Sequence, residues 1–349
     1  MYHFENDYNA MSHPKVMEAL LASADLRMTG YGADPICKRA ADLICKLCEN
    51  DDISVHFLTG GTQVNLTVIS SVLRPYQAVI AADSGHINEH ESGAIEATGH
   101  KVLLTPSEDG KITAEQIHKI LNAHYMPNCL PPEHLAQPKM VCISFSTEMG
   151  TIYYKKELEA IRSVCDHFGA YLYIDGARLG YGLCAADCDV TLADIARLSD
   201  VFYMGGTKQG LLFGEAVVIP NASLAKDFRY MIKQRGGMLA KGWLIGLQFQ
   251  SLLEDGLYFS LAQQANVLAD NLRLYFKENH IHCSSNSRTN QVFTVLPDRV
   301  LDALSEKFLF SDWMRIDSEH RMVRFCTSWS TSQADVDALI DSLNQLLGD

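Results

Sequence analysis

Two hydrophobic periods alternate along the first two-thirds of the chain. Between residues 53 and 220, short bursts such as ISVHFL, QAVIAA, KVLLT, MVCISF, AYLYID and DVFYM are apolar at nearly every position. Such runs suit strands buried on both faces. Between them lie longer segments with apolar residues every three or four positions, the pattern of amphipathic helices. Strand–helix alternation of this kind predicts an α/β fold with a mostly parallel, doubly wound sheet. FGEAVVIP reads as an antiparallel edge strand. Pro14 opens a helix from its favoured first-turn position, and a second helix follows the glycine-rich GYGADP. Thr113 and Gln116 form a capping box for another, and the proline-rich stretch 122–138 reads as a loop. Helical periodicity runs on over roughly 223–279. Strand QVFTVL, helix DRVLDALSEKF, strands at 309–316 and 321–327 and a helix capped by Thr331 or Ser332 then close the chain. The expected division is a large domain over 1–250, with an irregular N-terminal arm at 1–12, and a small α+β domain over 251–349.

Composition narrows the partners. The formal charge of −13 over 349 residues disfavours nucleic acid and anionic membrane. No stretch approaches the roughly 20 apolar residues of a membrane span, and MYHFENDYNA has no basic, apolar leader, so the cytoplasm is expected. The ten cysteines are scattered. Cys45 and Cys48 form one C-x-x-C without a second pair at zinc spacing, and read as helix packing.

Chemistry gathers where strands end. AYLYID closes on Asp175 with Arg178 just beyond, and DVFYMGG leads into Thr207-Lys208. In an open α/β sheet, ligands bind beyond the carboxyl ends of the strands. A third strand meets Gly60-Gly61-Thr62 and a helix, a turn that aims backbone N–H groups and the positive helix end at an anion. It matches neither the P-loop nor the dinucleotide spacing. On its own this turn serves equally as a tight corner with Thr62 as cap. His86 follows a further strand in a polar cluster with Glu89, His90 and Glu91. An amine, an acid and a phosphate cradle together suit pyridoxal 5′-phosphate (PLP), which takes a lysine covalently and an acid at its ring nitrogen.

With Gly60-Gly61-Thr62, His86, Asp175-Gly-Ala-Arg178 and Thr207-Lys208 in this order, the chain resembles the PLP-dependent threonine aldolase/β-eliminating lyase family, of the aspartate-aminotransferase-like fold (fold type I). The likeness extends from ENDY at 5–8 to MVRFCTSW at 322–329. It implies that Lys208 holds PLP, Asp175 pairs with the ring nitrogen and His86 stacks on the ring. Gly60, Gly61, Thr62 and Thr207 would bind the phosphate. Arg178 and Arg324 would clamp the substrate carboxylate, with Asn6 and Asp7 nearby. The implied reaction is retro-aldol cleavage of threonine, allo-threonine or phenylserine types to glycine and an aldehyde. A homodimer or homotetramer with shared sites is implied as well. Three positions depart from the family pattern. Asn6-Asp7 stands for Ser-Asp. Glu148 replaces a histidine proposed as base, leaving Glu148, His86 or an ordered water as proton acceptor. Leu239 replaces an arginine whose charge Lys241 or Arg235 would supply. The Ser-Thr-Glu-x-Gly-Thr variant resembles a phenylserine-aldolase-like branch. β-Elimination or transamination on the same residues, and a non-catalytic α/β binding protein, are the competing readings.

Overall fold

The computed structural model describes residues 1–126 and 132–348; part of the loop expected at 122–138 lies outside them. Among the described residues, twelve strands occur in chain order: β1 Tyr2–His3, β2 Ser54–Leu58, β3 Gln77–Ala82, β4 Lys101–Thr105, β5 Gln137–Ser144, β6 Tyr171–Asp175, β7 Val201–Gly205, β8 Glu215–Ile219, β9 Gln291–Pro297, β10 Phe308–Leu309, β11 Ser311–Arg315 and β12 His320–Cys326. β2 to β8 form one sheet in the order β2-β8-β7-β6-β5-β3-β4. From β7 to β4 every pair is parallel, and β8 runs antiparallel between β2 and β7. The expected antiparallel strand is therefore present but is not an edge: β2 takes that place. All five residues of β8 are buried, as an interior position requires.

Both faces of the sheet are covered. Leu172, Ile174, Phe202 and Met204 point into one core, while Tyr173, Val201 and Tyr203 point into the other, beside Val64 and Val68 of the helix Gly61–Val72. This alternation, two residues per period, decides which helix lies beneath each strand-end side chain. Caps fix where helices begin. Asp34 accepts from the Cys37 N–H at 2.8 Å ahead of Pro35–Leu47, and the Thr113–Gln116 box is complete. Cys45 and Cys48 are buried packing residues of the larger core.

The helical stretch after 220 is broken into four pieces, the last of them Leu257–Glu278. That helix joins both bodies: Tyr258 and Leu261 pack in the large core, while Leu268, Leu272 and Phe276 pack in a third core with β9 and β12. β9, β11 and β12 make a small antiparallel sheet. The N-terminal arm belongs with this end of the molecule. β1 pairs with β10, and Phe4 is buried against Phe308 and Phe325.

Candidate active site

Asp175 ends β6, and Gly205 ends its parallel neighbour β7 just before the short 3-10 turn Thr207–Gln209. Lys208 and Asp175 therefore rise from the same sheet edge, as expected. Tyr173 and Asp175 share the face covered by the helix Gly61–Val72, which places Asn65 against both. Asn65 Nδ2 donates to Asp175 Oδ2 at 2.9 Å, and Tyr203 Oη donates to Oδ1 at 2.5 Å. Tyr173 Oη donates to Asn65 Oδ1 at 2.5 Å, fixing the orientation of the amide. A buried carboxylate with this many donors keeps one position.

Asn65 reaches a second acid. The same Nδ2 donates to Glu91 Oε1 at 2.6 Å, and His86 Nδ1 meets that oxygen at 2.8 Å. Since the carboxylate accepts, Nδ1 carries the proton and Nε2 is the nitrogen left for chemistry. Burial lowers the imidazole's affinity for protons, but the bond to Glu91 and the charge of Asp175 outweigh it, and the net shift is upward. Glu148 lies beneath this turn. Its Oε1 accepts from Ser144 Oγ at 2.7 Å and from the His86 N–H at 3.0 Å, and burial raises its pKa. Glu148 thus holds the start of the one-turn helix His86–Glu89 in place.

The Lys208 amine has no hydrogen-bond or ion-pair partner among the described residues; the Tyr8 ring lies 6.0 Å away. Burial, then the charge of Arg178, lowers its pKa below the ordinary lysine value, which favours the nucleophilic amine. The helix Gly61–Val72 starts without a side-chain cap, so its first N–H groups are unclaimed by any capping side chain. A side chain on Gly61 would place Cβ 3.0 Å from Tyr203 Oη, pressing on the hydroxyl that donates to Asp175. Thr62 is exposed on the first turn. Thr207 behaves differently from expectation: its hydroxyl donates to Glu215 Oε1 at 2.8 Å and accepts from the Gly214 N–H at 3.1 Å. Its only proton is already committed.

The two arginines also differ. Arg178 grips Asp7 through Nε at 2.8 Å and Nη2 at 3.0 Å, and both side chains are buried. Asn290 adds a third donor to Asp7 at 2.9 Å. Burial opposes the charge on Asp7, yet the guanidinium beside it holds the carboxyl well below the usual range. Asp7, expected near the substrate, is instead the anion that fills the Arg178 fork, because the arm lays it there. Asn6 is half-buried and its Oδ1 accepts from the Tyr8 N–H at 2.9 Å. Arg324 bonds to Gln291 Oε1 and Ser311 Oγ and lies over the Trp313 ring, with no carboxylate partner among the described residues. Gln63 donates to the Arg235 carbonyl at 3.2 Å, which sets Arg235 beside the glycine turn. Lys241 is exposed and lines a separate depression with Leu20, Leu26 and Leu244. The chain does not bring it to its own phosphate cradle.

Neither Asn65 nor Glu215 stands at a strand end that residue order marks as chemical, and Glu91 follows β3 in a polar cluster with no role that order alone assigns. For Asn65 a signal existed: it stands one helical turn after Gly61 on the same helix face, between the apolar Val64 and Leu66.

A family model described as beta-eliminating lyase matches residues 5–298. The low specificity L-threonine aldolase of Pseudomonas sp. (strain NCIMB 10558) is 32% identical over 321 residues, covering 91% of this chain and 90% of that protein. The solved threonine aldolase of Leishmania major superposes with a TM-score of 0.96 at 42% identity, over 99% of this chain and all of that one (100%). A serine palmitoyltransferase of S. paucimobilis, solved with bound PLP, shares the fold with a TM-score of 0.71 at 13% identity, over 99% of this chain and 88% of that one.

Proposed function

The chain belongs to the β-eliminating lyase family, and on that footing we propose that it is a PLP-dependent aldolase that cleaves the Cα–Cβ bond of β-hydroxy-α-amino acids to glycine and an aldehyde. One observation carries the reading: a half-buried amine with no partner among the described residues, a buried carboxylate held by three donors and an uncapped helix N-terminus meet at one sheet edge. These match the reactive carbon, ring nitrogen and phosphate of the cofactor. Lys208 would hold it covalently, Asp175 would accept from the ring nitrogen, Gly61 and Thr62 would donate to the phosphate, and His86 would lie against the ring. When bound, PLP supplies an electron sink for the charge left on Cα.

The chain's own groups do the rest. Arg324, a guanidinium without a carboxylate partner among the described residues, anchors the substrate carboxylate, while the fork of Arg178 is already taken by Asp7. With Nδ1 held by Glu91, His86 Nε2 takes the proton of the β-hydroxyl. As that proton leaves, the O–H electron pair becomes the second C–O bond of the aldehyde. The Cα–Cβ pair stays on Cα, where a proton later completes glycine. Glu148 serves this step by fixing the His86 turn. β-Elimination is the alternative on the same Lys208 and Asp175. The free thiols suit a reducing cytoplasm. A homodimer or homotetramer, in which Lys241 reaches a neighbour's phosphate, belongs to the same proposal.

Purified protein should acquire a visible absorbance band on addition of PLP, and Lys208→Ala should abolish it. A wild-type spectrum unmoved by PLP would leave a non-catalytic α/β protein.

A further inference from the structure

Glu215 is a buried acid that takes no part in the chemistry above. It opens β8 opposite Leu58, the residue that leads into Thr59 and Gly60, so it stands beside the phosphate cradle. Its Oε2 accepts from the Gly206 N–H at 2.8 Å and its Oε1 from the Thr207 hydroxyl at 2.8 Å. A hydroxyl has one proton and can accept twice. While Glu215 is ionised, the Thr207 proton points at it, and a phosphate alongside gains no donor and meets a second anion. One proton added to Glu215 reverses this without moving a heavy atom. Oε1–H then donates to Thr207 Oγ1, the Gly214 N–H still donates to the same oxygen, and the Thr207 proton turns outward.

Resting on the cofactor reading, we propose that Glu215 is a proton switch on the phosphate subsite: protonated, it releases the Thr207 hydroxyl to a phosphate, and ionised, it withholds it. The proton comes from solvent when the phosphate docks. The charges that face Glu215 are Lys208 on the adjoining turn and Asp175 from β6. Its own charge is felt by Tyr173 of β6, Tyr203 of β7 and Tyr258 of the helix Leu257–Glu278, while β2 presents Leu58 directly opposite and His56 two residues along the same face. Burial lifts the carboxyl to about 7 against the two hydrogen bonds and Lys208, and a nearby phosphate dianion raises it further.

The test measures PLP binding to the apo-protein between pH 6 and 9, in buffers of unlike ionisation heat, with pyridoxal as the phosphate-free control. Wild type should take up one more proton with PLP than with pyridoxal near pH 8, and its PLP affinity should fall by up to about tenfold per pH unit above the Glu215 titration. Glu215→Gln, whose amide mimics the protonated acid, should bind PLP without that slope or the extra proton, and should match wild type with pyridoxal. Glu215→Ala, which removes the acceptor that claims the Thr207 proton, should also lose the slope and the extra proton. Equal proton uptake with the two ligands, or equal slopes in wild type and Glu215→Gln, would overturn the switch. A wild type that binds neither ligand would overturn the cofactor reading instead.

Discussion

His86 has little freedom to turn, because Glu91 holds Nδ1 at 2.8 Å and Asn65 in turn holds Glu91. Replacing Glu91 by Gln removes an interaction that raises the His86 pKa, so the acid limb of the kcat/KM profile should move to lower pH. kcat should fall by about a hundredfold, within the range of general-base catalysis. An unshifted limb with normal kcat would show that His86 is only a ring cover. Arg324→Lys should raise KM about tenfold or more with a smaller effect on kcat, since the forked geometry is lost while the charge remains; initial-rate kinetics decide it. At this scale the sequence was partly readable. Asp175 and Lys208 stand out as ionisable groups that end apolar runs, and any α/β sheet sends them to one edge. Glu215 could not be found that way, because its contact with Thr207 depends on how β8 pairs with β7.

The crossing of β6 and β7 is set by two glycines. A Cβ on Gly176 would sit 1.7 Å from the Tyr203 carbonyl oxygen, and one on Gly205 would sit 2.3 Å from that of Ala177. Gly176→Ala should therefore cost about 3 kcal/mol or more by forcing the strand ends apart. Because Asp175 and Lys208 flank the crossing, cofactor affinity should fall together with the denaturant midpoint; a variant of wild-type stability would contradict the packing described. Glycine in Asp-Gly-Ala-Arg is thus a spacing requirement between strands, which residue order alone does not reveal. The misplacement of FGEAVVIP has a similar cause. Its antiparallel sense follows from local chain reversal, but β2, which pairs Leu58 with Glu215 and lies far earlier in the chain, closes over it. The unbroken apolar run AVVI was the available hint that both neighbours were present.

Across the whole molecule, the N-terminal arm ties the two bodies together. β1 and Phe4 pack with the small sheet, and Asp7 inserts into the fork of Arg178 beside β6. Removing one partner of a buried pair leaves an uncompensated charge, so Asp7→Asn should lose about 3–5 kcal/mol in denaturant unfolding. The sign with pH follows from the lowered pKa of Asp7. Its contribution is present above the ordinary aspartate value and disappears only as pH falls through the lower native one. Wild type and Asp7→Asn should therefore differ most at neutral pH and converge in strong acid. This bridge lies beyond sequence reading, because 171 positions separate its partners. The large fold was legible by contrast, since strand–helix alternation is local. The retro-aldol claim is tested most directly by incubating the PLP-loaded protein with threonine, allo-threonine and phenylserine and quantifying every product. Glycine and the matching aldehyde in equal amounts, lost in Lys208→Ala, is the predicted result; 2-oxo acid and ammonia, with no glycine, would contradict it.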